Sequence, residues 1–497
     1  MFKGQDQLEL TEGGIGKPLF YLALPIVITN LLQTAYNLAD TFWLGQYSTN
    51  ALAAISFAFP MVFLLISLGM GVSVAGSVLV AQNTGAGDER QAEYAASQTV
   101  VFAVVASGIL GLVGYFVVDD LLLIFGASPE VLQAATEYMR VITLGLPFMF
   151  GFFIFISLMR GYGDTITPML VMLGTVVLNV ALDPFLINGW ALGPLQFPRL
   201  GIEGAAYATV FSRGLATAVG LGIMFSGTRG VRIRLSDMVP DADYARRMLS
   251  IGVPASIEGT GRSLSVNLLL IVVGTFSTSV VAGYGIGIRV FSVIFLPAIA
   301  VARGVETMAG QNIGADQPDR AEAAADFAAR VMFVVLGLAG VVIFLFPEPI
   351  VAVFTDDTAV IGPGAEFLRY VSLTFGFIGI MRSYTGAFRG AGKTMVAAAV
   401  AITFLGFVRL PVAWALSQGV GGTYTVAGVS FTLPNLLAAM GPVGIWWGFV
   451  VSNVVGAALA FVWFKQGTWR DADVRGGGPT PERGADTDDV DAATGDD

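Results

Sequence analysis

The chain has 497 residues, of which 55% are hydrophobic and 12% are charged, and its formal net charge is −10. Soluble domains carry about 25% charged residues, so a soluble multidomain enzyme is all but excluded and a polytopic membrane protein is expected. Because the chain contains no Cys and no His, disulfides, Cys/His zinc sites and imidazole acid–base chemistry are excluded as well.

Twelve apolar segments follow one another along the chain, each long enough to cross a bilayer. About 20 residues of helix span the hydrocarbon core. Such segments begin near Leu19, Ala51, Ala95, Val131, Pro168 and Gly204, and then near Met248, Val280, Ala324, Glu366, Met395 and Pro442. The N-terminal residues include acids and lack the apolar stretch and cleavage site of a signal peptide, so the first span is expected to be retained.

The basic residues predict the orientation of the chain. Sixteen of the 26 Lys and Arg lie in the N-terminal segment, the loops on one side and the C-terminal tail, whereas Arg199 alone lies in a loop on the other side. Cytoplasmic loops are enriched in Lys and Arg. Both termini are therefore predicted to be cytoplasmic, as an even number of spans requires.

An internal repeat relates the two halves of the chain. Identical residues recur at an offset of 229, including Pro25/Pro254, Gly45/Gly274, Gln82/Gln311, Asn83/Asn312, Glu93/Glu322, Arg160/Arg389 and Thr165/Thr394. Six spans per repeat give both halves the same membrane orientation, and parallel repeats of this kind are found in secondary transporters. The sequence predicts an all-α polytopic membrane protein with twelve transmembrane helices arranged as two parallel six-helix bundles.

The predicted domain organisation follows from the repeat. Residues 1–17 are expected to form a cytoplasmic N-terminal segment, 18–226 the first bundle, 227–247 a basic cytoplasmic linker and 248–467 the second bundle. Residues 468–497 hold nine acids against three Arg and show no apolar periodicity. This composition predicts a disordered acidic cytoplasmic tail.

Asp40, late in the first span, is the most informative ionisable residue. Gln33, Tyr36 and Asn37 precede it by seven, four and three residues, which places all four side chains on one helical face. Ionisable residues inside membrane helices are costly and commonly functional, so the stripe predicts a site that faces an aqueous cavity. Polar packing between helices is the alternative interpretation.

The fifth and sixth spans supply matching residues. Asn179 and Asp183 are one helical turn apart, directly before Pro184, and Thr209 lies in the sixth span. Two carboxylates, an amide oxygen and a hydroxyl could coordinate Na⁺, and two acids close together in a low dielectric could instead hold a proton. The residues leave this choice open. Because the repeat partner of Asp40 is Leu269, the site belongs to the first half alone.

Charged residues inside the second half are interpreted mainly as structural. Glu258 and Arg262 are four residues apart, and Arg303 and Glu306 are three apart, spacings at which pairing lowers the cost of burial. Glu258 as a counter-ion for the substrate is the alternative.

Two further features of the sequence are assigned structural roles. The repeated pairs Glu137/Arg140 and Glu366/Arg369 are interpreted as structural, and Tyr138 could reach the first-half cavity. The segment GAFRGAGKT has one residue too many between its glycines for a phosphate loop, and no strand precedes it. It is expected to be a tight loop after a span and not a nucleotide site.

Over about residues 15–465 the chain resembles the multidrug and toxic compound extrusion (MATE) transporters. The resemblance rests on the 6 + 6 repeat, the segment ALPIVITNLLQTAYNLADTFWLG, the twin AQNTGAG and GQNIGAD loops, two RGxGxT loops and LNVALDP. It implies alternating-access export of amphiphilic, cationic compounds in exchange for H⁺ or Na⁺, without enzymatic activity and with no cofactor beyond the coupling cation.

Within that family the chain is most similar to the branch whose key acid lies in the first span. This resemblance implies that Asp40 is the coupling carboxylate, with Asn179, Asp183 and Thr209 as companions and as ligands for Na⁺ if that is the ion. Gln33, Tyr36 and Asn37 would line the adjoining cavity, and Pro25 matches the proline at which the first helix of that branch bends. Another branch places its key acid in the seventh span, where Glu258 lies.

The expected partners are small amphiphilic molecules and the lipid bilayer of the inner (cytoplasmic) membrane, with no nucleic acid or nucleotide, and the chain is expected to be a monomer. Two other function classes remain open. A flippase for lipid-linked precursors would need a basic, anion-binding central cavity. A channel or a non-transporting scaffold would show no substrate counterflow.

Overall fold

The computed structural model describes residues 9–124, 129–426 and 429–470 and is built mainly of helices. The first half contains α1 (Gly16–Tyr47), α2 (Thr49–Gly85), α3 (Glu89–Ile124), α4 (Pro129–Leu144), α5 (Leu146–Tyr162), α6 (Ile166–Asn188) and α7 (Ile202–Ser226). The second half contains α8 (Ala242–Val273), α9 (Thr278–Gly314), α10 (Pro318–Leu345), α11 (Pro347–Ala352), α12 (Thr358–Ser372), α13 (Phe375–Gly390), α14 (Thr394–Ile402), a π-helical turn (Thr403–Arg409), α15 (Leu410–Gln418) and α16 (Pro442–Lys465).

These helices account for the twelve predicted spans, and the predicted fold class is confirmed. By length and composition, nine helices of the described residues could cross a membrane, and the pair α4–α5, bent by 56°, supplies a tenth. The other two predicted spans correspond to α8 and to the pair α12–α13. Both contain Glu and Arg residues, which makes these segments less apolar than the rest.

Two short hairpins add strands that the sequence analysis did not predict. β1 (Ala191–Leu192) pairs with β2 (Leu195–Gln196), and β3 (Val420–Val426) pairs with β4 (Val429–Leu437), both antiparallel. They occupy corresponding places in the two halves, after α6 and after α15. Each connects two spans outside the helical bundle.

The hydrophobic cores follow the repeat, with an exchange at the start of each half. Leu19 and Leu22 of α1 pack in the core formed mainly by α9, α10 and α13. Conversely, Met248 and Ile251 of α8 pack in a core formed mainly by α2, α3 and α5. The first turns of each half are therefore anchored in the other half.

The linker between the halves is docked onto the start of α3. Arg90 makes a two-pronged ion pair with Asp237, with 2.7 Å between Nη2 and Oδ1. Arg234 Nε donates to Glu93 Oε2 at 2.6 Å, and the Tyr94 hydroxyl donates to Asp241 Oδ2 at 2.8 Å. These bonds lower the pKa values of the Asp237 and Asp241 carboxyl groups below their usual range, through Arg90 and Tyr94 respectively.

The predicted linker overlaps the first helix of the second half. Helix α8 begins at Ala242, inside the segment assigned to the linker, and α16 ends at Lys465. Residues 1–8 of the predicted N-terminal segment and 471–497 of the predicted acidic tail lie outside the described residues.

The repeated arginines near the start of each fourth span have partners other than the expected ones. Arg140 contacts Asp119 at 2.7 Å, and its repeat partner Arg369 contacts Glu348 at 2.7 Å. These two acids are themselves 229 residues apart. Arg140 thus reaches across to α3, and Arg369 reaches to the short helix α11 that follows α10, and neither pairs along its own helix.

The ends of α2 and α9 pack against each other at the face that carries the chain termini, which we call the terminal face. Gln82 Nε2 donates to the carbonyl of Gly390 at 3.1 Å, and Gln311 Nε2 donates to the carbonyl of Gly161 at 3.1 Å. A Cβ atom on Gly85 would lie 1.8 Å from the carbonyl oxygen of Gln311. The contact therefore requires glycine, and it closes the bundle at this face.

Candidate functional site

The predicted carboxylates of α1 and α6 lie together in the first half. Asp40 and Asp183 are 2% and 0% exposed, and their carboxyl groups lie close enough to interact. Asn179, one turn before Asp183, is also fully buried. Helix α6 packs along α1, which brings the two acids, 143 residues apart in sequence, to one place.

These buried groups have unused hydrogen-bonding capacity among the described residues. Asp40 Oδ1, both carboxylate oxygens of Asp183 and both amide atoms of Asn179 have no hydrogen-bond partner. Buried polar groups in folded proteins are nearly always paired. A proton between the two carboxyls or a cation bound by their oxygens would satisfy them, so the donor set fits either coupling ion.

The predicted companions Tyr36 and Thr209 tie α1 to α7. The Tyr36 hydroxyl donates to Thr209 Oγ1 at 2.7 Å, and both side chains are buried. Tyr138 of α4 is 3% exposed and lies within electrostatic range of Asp40, Tyr36 and Asp183. The hydroxyl of Thr209 is thus bonded to Tyr36, which lies within electrostatic range of Asp40 and Asp183.

Arg213 belongs to this site and was missed by the sequence analysis. Its side chain is 2% exposed, and its guanidinium lies 4.9 Å from the ring centre of Tyr36 and 5.0 Å from that of Phe152. Arg213 Nη2 also donates to Gln33 Oε1 at 2.6 Å. A signal was available, because Arg213 follows Thr209 by four residues and therefore shares its helical face.

A cavity of about 260 Å³ lies between α1, α2, α5, α6 and α9, on the side of Asp40 that is nearer the terminal face. Gln33 and Asn30 line it from α1, and Arg160 and Arg303 line its end nearer the terminal face. Of the predicted cavity residues, Gln33 is in the wall, whereas Tyr36, Asn37 and Tyr138 are not among the lining residues. Asn37 accepts a hydrogen bond from Gln33 Nε2 at 3.1 Å and so supports this wall from behind.

The expected ion pairs of the second half are present and form part of a larger network. Glu258 contacts Arg262 at 2.9 Å and Arg389 at 3.1 Å. Glu306 contacts Arg303 at 2.9 Å and Arg389 at 3.1 Å. Arg389 therefore bridges the two acids, and the pairing of Glu258 fits the structural interpretation of this residue.

Pro25 lies inside α1, 15 residues before Asp40. Its ring nitrogen cannot donate to the helical ladder, and the Thr29 hydroxyl donates to the Pro25 carbonyl at 2.8 Å. Helix α1 continues through this position. The missing bond weakens, at this position, the helix that carries Asp40.

Comparison with known proteins places this arrangement in context. The MatE family model matches residues 25–185 and 254–415, one segment in each half. The chain is 28% identical over 460 residues to the probable multidrug resistance protein NorM of Thermotoga maritima, covering 92% of this chain and 93% of the relative. It is 27% identical over 467 residues to the probable multidrug resistance protein YoeA of Bacillus subtilis, covering 92% and 96%.

Other similar proteins have different substrates or known structures. A FAD transporter of Shewanella oneidensis is 28% identical over 435 residues, with 87% of this chain and 94% of the relative covered. A crystal structure of MATE in the bent conformation superposes with a TM-score of 0.82 at 25% identity, covering 93% of this chain and 98% of that one. An outward-facing MATE family transporter of the MOP superfamily gives the same TM-score and coverage at 24% identity.

Proposed function

This chain belongs to the MatE family of multidrug efflux transporters, which are not enzymes, and from that membership we propose that it is a cation-coupled antiporter. In this proposal it exports amphiphilic small molecules, cationic ones included, in exchange for H⁺ or Na⁺. The observation that carries the proposal is the buried pair Asp40 and Asp183, in which three of the four carboxylate oxygens have no hydrogen-bond partner among the described residues. Ion binding at that pair is the step that couples the gradient to export.

Alternating access would link ion binding at Asp40 to release of the substrate from the cavity. The contacts of Gln82 and Gln311 across the halves close the terminal face, while the cavity beside Gln33 lies between the same halves. Breaking these contacts and rocking the halves would open the cavity toward the terminal face. At two linked sites, each ligand changes the affinity for the other by the same factor. An ion at Asp40 and a substrate in the cavity can therefore each promote release of the other.

The distance between Asp40 and Pro25 suggests how α1 takes part. Fifteen residues of helix correspond to about 22 Å, so coupling along α1 needs an element with two conformations. A helix interrupted by proline is such an element. Protonation or Na⁺ binding at Asp40 would favour one form of α1 over the other.

The proposal places the protein in the cell membrane as a monomer with both termini on the cytoplasmic side. The first and last described residues of the chain meet at the terminal face, where Arg320 donates to the carbonyls of Leu10 and Gly13 and Arg470 contacts Asp319. The terminal face would then be the cytoplasmic face.

Ethidium efflux from proteoliposomes under separately imposed Na⁺ and proton gradients tests the proposed function. Efflux driven by one of the two gradients and absent without either is the expected result. Equal efflux with and without gradients would overturn cation coupling and would favour a channel. No efflux and no substrate counterflow in any condition would favour a non-transporting scaffold.

A flippase for lipid-linked precursors is a second candidate, because one end of the cavity is basic. Arg160 and Arg303 line that end, and the anionic headgroups of such lipids would be attracted to them. Transfer of a labelled anionic lipid between leaflets, faster with the protein than without it, is the result that would favour this candidate.

A further inference from the structure

We propose that the cationic end of the cavity is a binding subsite for the anionic group, phosphate or carboxylate, of an amphiphilic substrate. This inference rests on the proposed function insofar as the cavity is the substrate path, and it adds a substrate class that the acidic site beside Asp40 does not suggest. It is carried by an excess of arginines over acids where the two halves meet, and by the two of these arginines that line the cavity.

The charges at this place do not balance. Five arginines form a connected cluster with two glutamates, in which each arginine lies within electrostatic range of Glu258 or of Glu306. The arginines are Arg160, Arg262, Arg303, Arg382 and Arg389. The cluster therefore carries three more positive than negative formal charges. Arg389 and the two glutamates are buried, and the other four arginines are partly exposed.

Ion pairing within the cluster leaves several guanidinium donors over, and it leaves one carboxylate oxygen, Glu306 Oε1, without a partner among the described residues. Arg389 bridges both acids, and Arg262 and Arg303 each contact one of them. Nε of Arg160, of Arg262 and of Arg382 is buried without a hydrogen-bond partner among the described residues. Arg160 has one side-chain contact, from Nη2 to Ser157 Oγ at 3.3 Å. A purely structural network would be expected to satisfy these donors.

Two of the five arginines line the cavity. Arg160 comes from the end of α5 and Arg303 from α9, so the two guanidinium groups line the cavity from different halves. Ser157 and Thr165 lie beside them in the lining. Guanidinium groups bind carboxylate and phosphate through paired, charge-assisted hydrogen bonds. An anion held between Arg160 and Arg303 would join the two halves.

The remainder of the cavity fits an apolar body. Its walls include Ile26, Met70, Phe150, Phe153 and Met172, and binding sites of this kind combine apolar walls with a few polar anchors. A ligand with an anionic group at Arg160 and an apolar body along these side chains would reach toward Gln33. Anionic and zwitterionic amphiphiles fit this arrangement, and the acids near Asp40 remain available for the coupling cation.

Binding of hexyl phosphate, hexanol and hexyltrimethylammonium to the full-length protein in nanodiscs tests the subsite. The three probes share an apolar chain and differ in charge. The expected result is at least tenfold tighter binding of hexyl phosphate than of hexyltrimethylammonium, weakened by added NaCl because salt screens the charges. Equal affinity for the two charged probes would overturn the proposal.

Variants separate the subsite from general effects on the fold. Arg160→Gln and Arg303→Gln should each weaken hexyl phosphate binding at least tenfold, about 1.4 kcal/mol, while hexanol binding stays within twofold. Arg303→Lys, which keeps a cation, should retain more affinity than Arg303→Gln. Arg289→Gln is the matched control, because Arg289 lies on the same helix and is exposed. Unchanged hexyl phosphate binding in both glutamine variants would contradict the subsite even if they fold normally.

Two sources of the anionic group are distinguished by transport. Uptake of radiolabelled hexyl phosphate by counterflow would assign a soluble substrate, whereas accelerated transfer of a fluorescent phosphatidic acid between leaflets would assign a lipid headgroup. The binding assay needs no ion gradient, so a failure of cation coupling in the ethidium assay leaves its result interpretable. Conversely, if hexyl phosphate does not bind at the subsite, gradient-driven ethidium efflux still tests cation coupling independently.

Discussion

Gln82, at the end of α2, donates a hydrogen bond to the carbonyl of Gly390, at the end of α13 in the other half of the chain. The repeat partners of these two residues make the reciprocal contact, in which Gln311 donates to Gly161. Motifs that recur at an offset of 229 in the sequence therefore meet across the interface of the halves. The same pair of bonds closes the terminal face twice, once from each half.

Gly85→Ala is predicted to open the terminal face. A Cβ atom there would lie 1.8 Å from the carbonyl oxygen of Gln311, which is backbone and can relax only if the helix ends separate. Because the chain contains no cysteine, Ser73→Cys in the cavity wall provides a single thiol. Its labelling by an impermeant maleimide added at the terminal face should rise severalfold in the Gly85→Ala background.

Gly108→Ala is the control for this measurement, since a Cβ atom at Gly108 meets nothing within 4 Å. Labelling in that background should equal labelling of Ser73→Cys alone. If Gly85→Ala also leaves labelling unchanged, the contact between α2 and α9 is not the closure of the cavity at this face.

Docking of the linker is predicted to be lost in acid. The pKa of Asp237 is lowered chiefly by its hydrogen bonds to Arg90, so its contribution to stability is present above the usual Asp range of about 4 and is lost as the pH falls through the lower folded-state value. Pepsin cleavage of the linker should therefore accelerate as the pH falls from about 4 toward the folded-state value.

Asp237→Asn should flatten this pH dependence, because the variant cannot gain the proton. The residual dependence would come from Asp241, whose pKa is lowered by the Tyr94 hydroxyl. Asp243→Asn, at an exposed site in the same segment, should behave as the unchanged protein. A pH profile of Asp237→Asn identical to that of the unchanged protein would show that the Arg90 contact does not hold the linker.

The Tyr36–Thr209 hydrogen bond is predicted to couple α1 to α7. Tyr36→Phe leaves the buried Thr209 hydroxyl without its donor, and Thr209→Val leaves the Tyr36 hydroxyl without its acceptor, so each should destabilise the protein by about 1–3 kcal/mol. The double variant should cost less than the sum of the two. Unfolding of the purified protein in detergent, followed for all four proteins, measures this difference. Additive effects would mean that the bond contributes nothing.

The sequence predicts the helical spans well because periodicity and hydropathy are properties of single helices. The sequence also predicts that Asp40 and Asp183 belong to one site, because ionisable residues in apolar spans usually pair with one another or face a polar cavity. Arg213 was missed, although its spacing from Thr209 places it on the same face. The sequence gives no measure of which helix packs against α1.

Contacts between helices account for the other differences. The partner of Arg140 lies in α3 and that of Arg369 in α11, and Arg389 links Glu258 to Glu306 across three helices. Spacing within one helix reports only the neighbours three and four residues away. The net charge of the cluster of arginines around Glu258 and Glu306, and hence the basic character of one end of the cavity, depends on how the halves pack.

Gradient-driven ethidium efflux by Asp40→Asn in proteoliposomes tests the central claim most directly. The amide preserves the size of the side chain but can neither lose a proton nor bring a negative charge to a cation beside Asp183, so efflux driven by either Na⁺ or H⁺ should fall to the level of empty vesicles. Asp120→Asn, at an exposed position, should retain efflux, and both variants should reconstitute as well as the unchanged protein. Full gradient-driven efflux by Asp40→Asn would contradict the account.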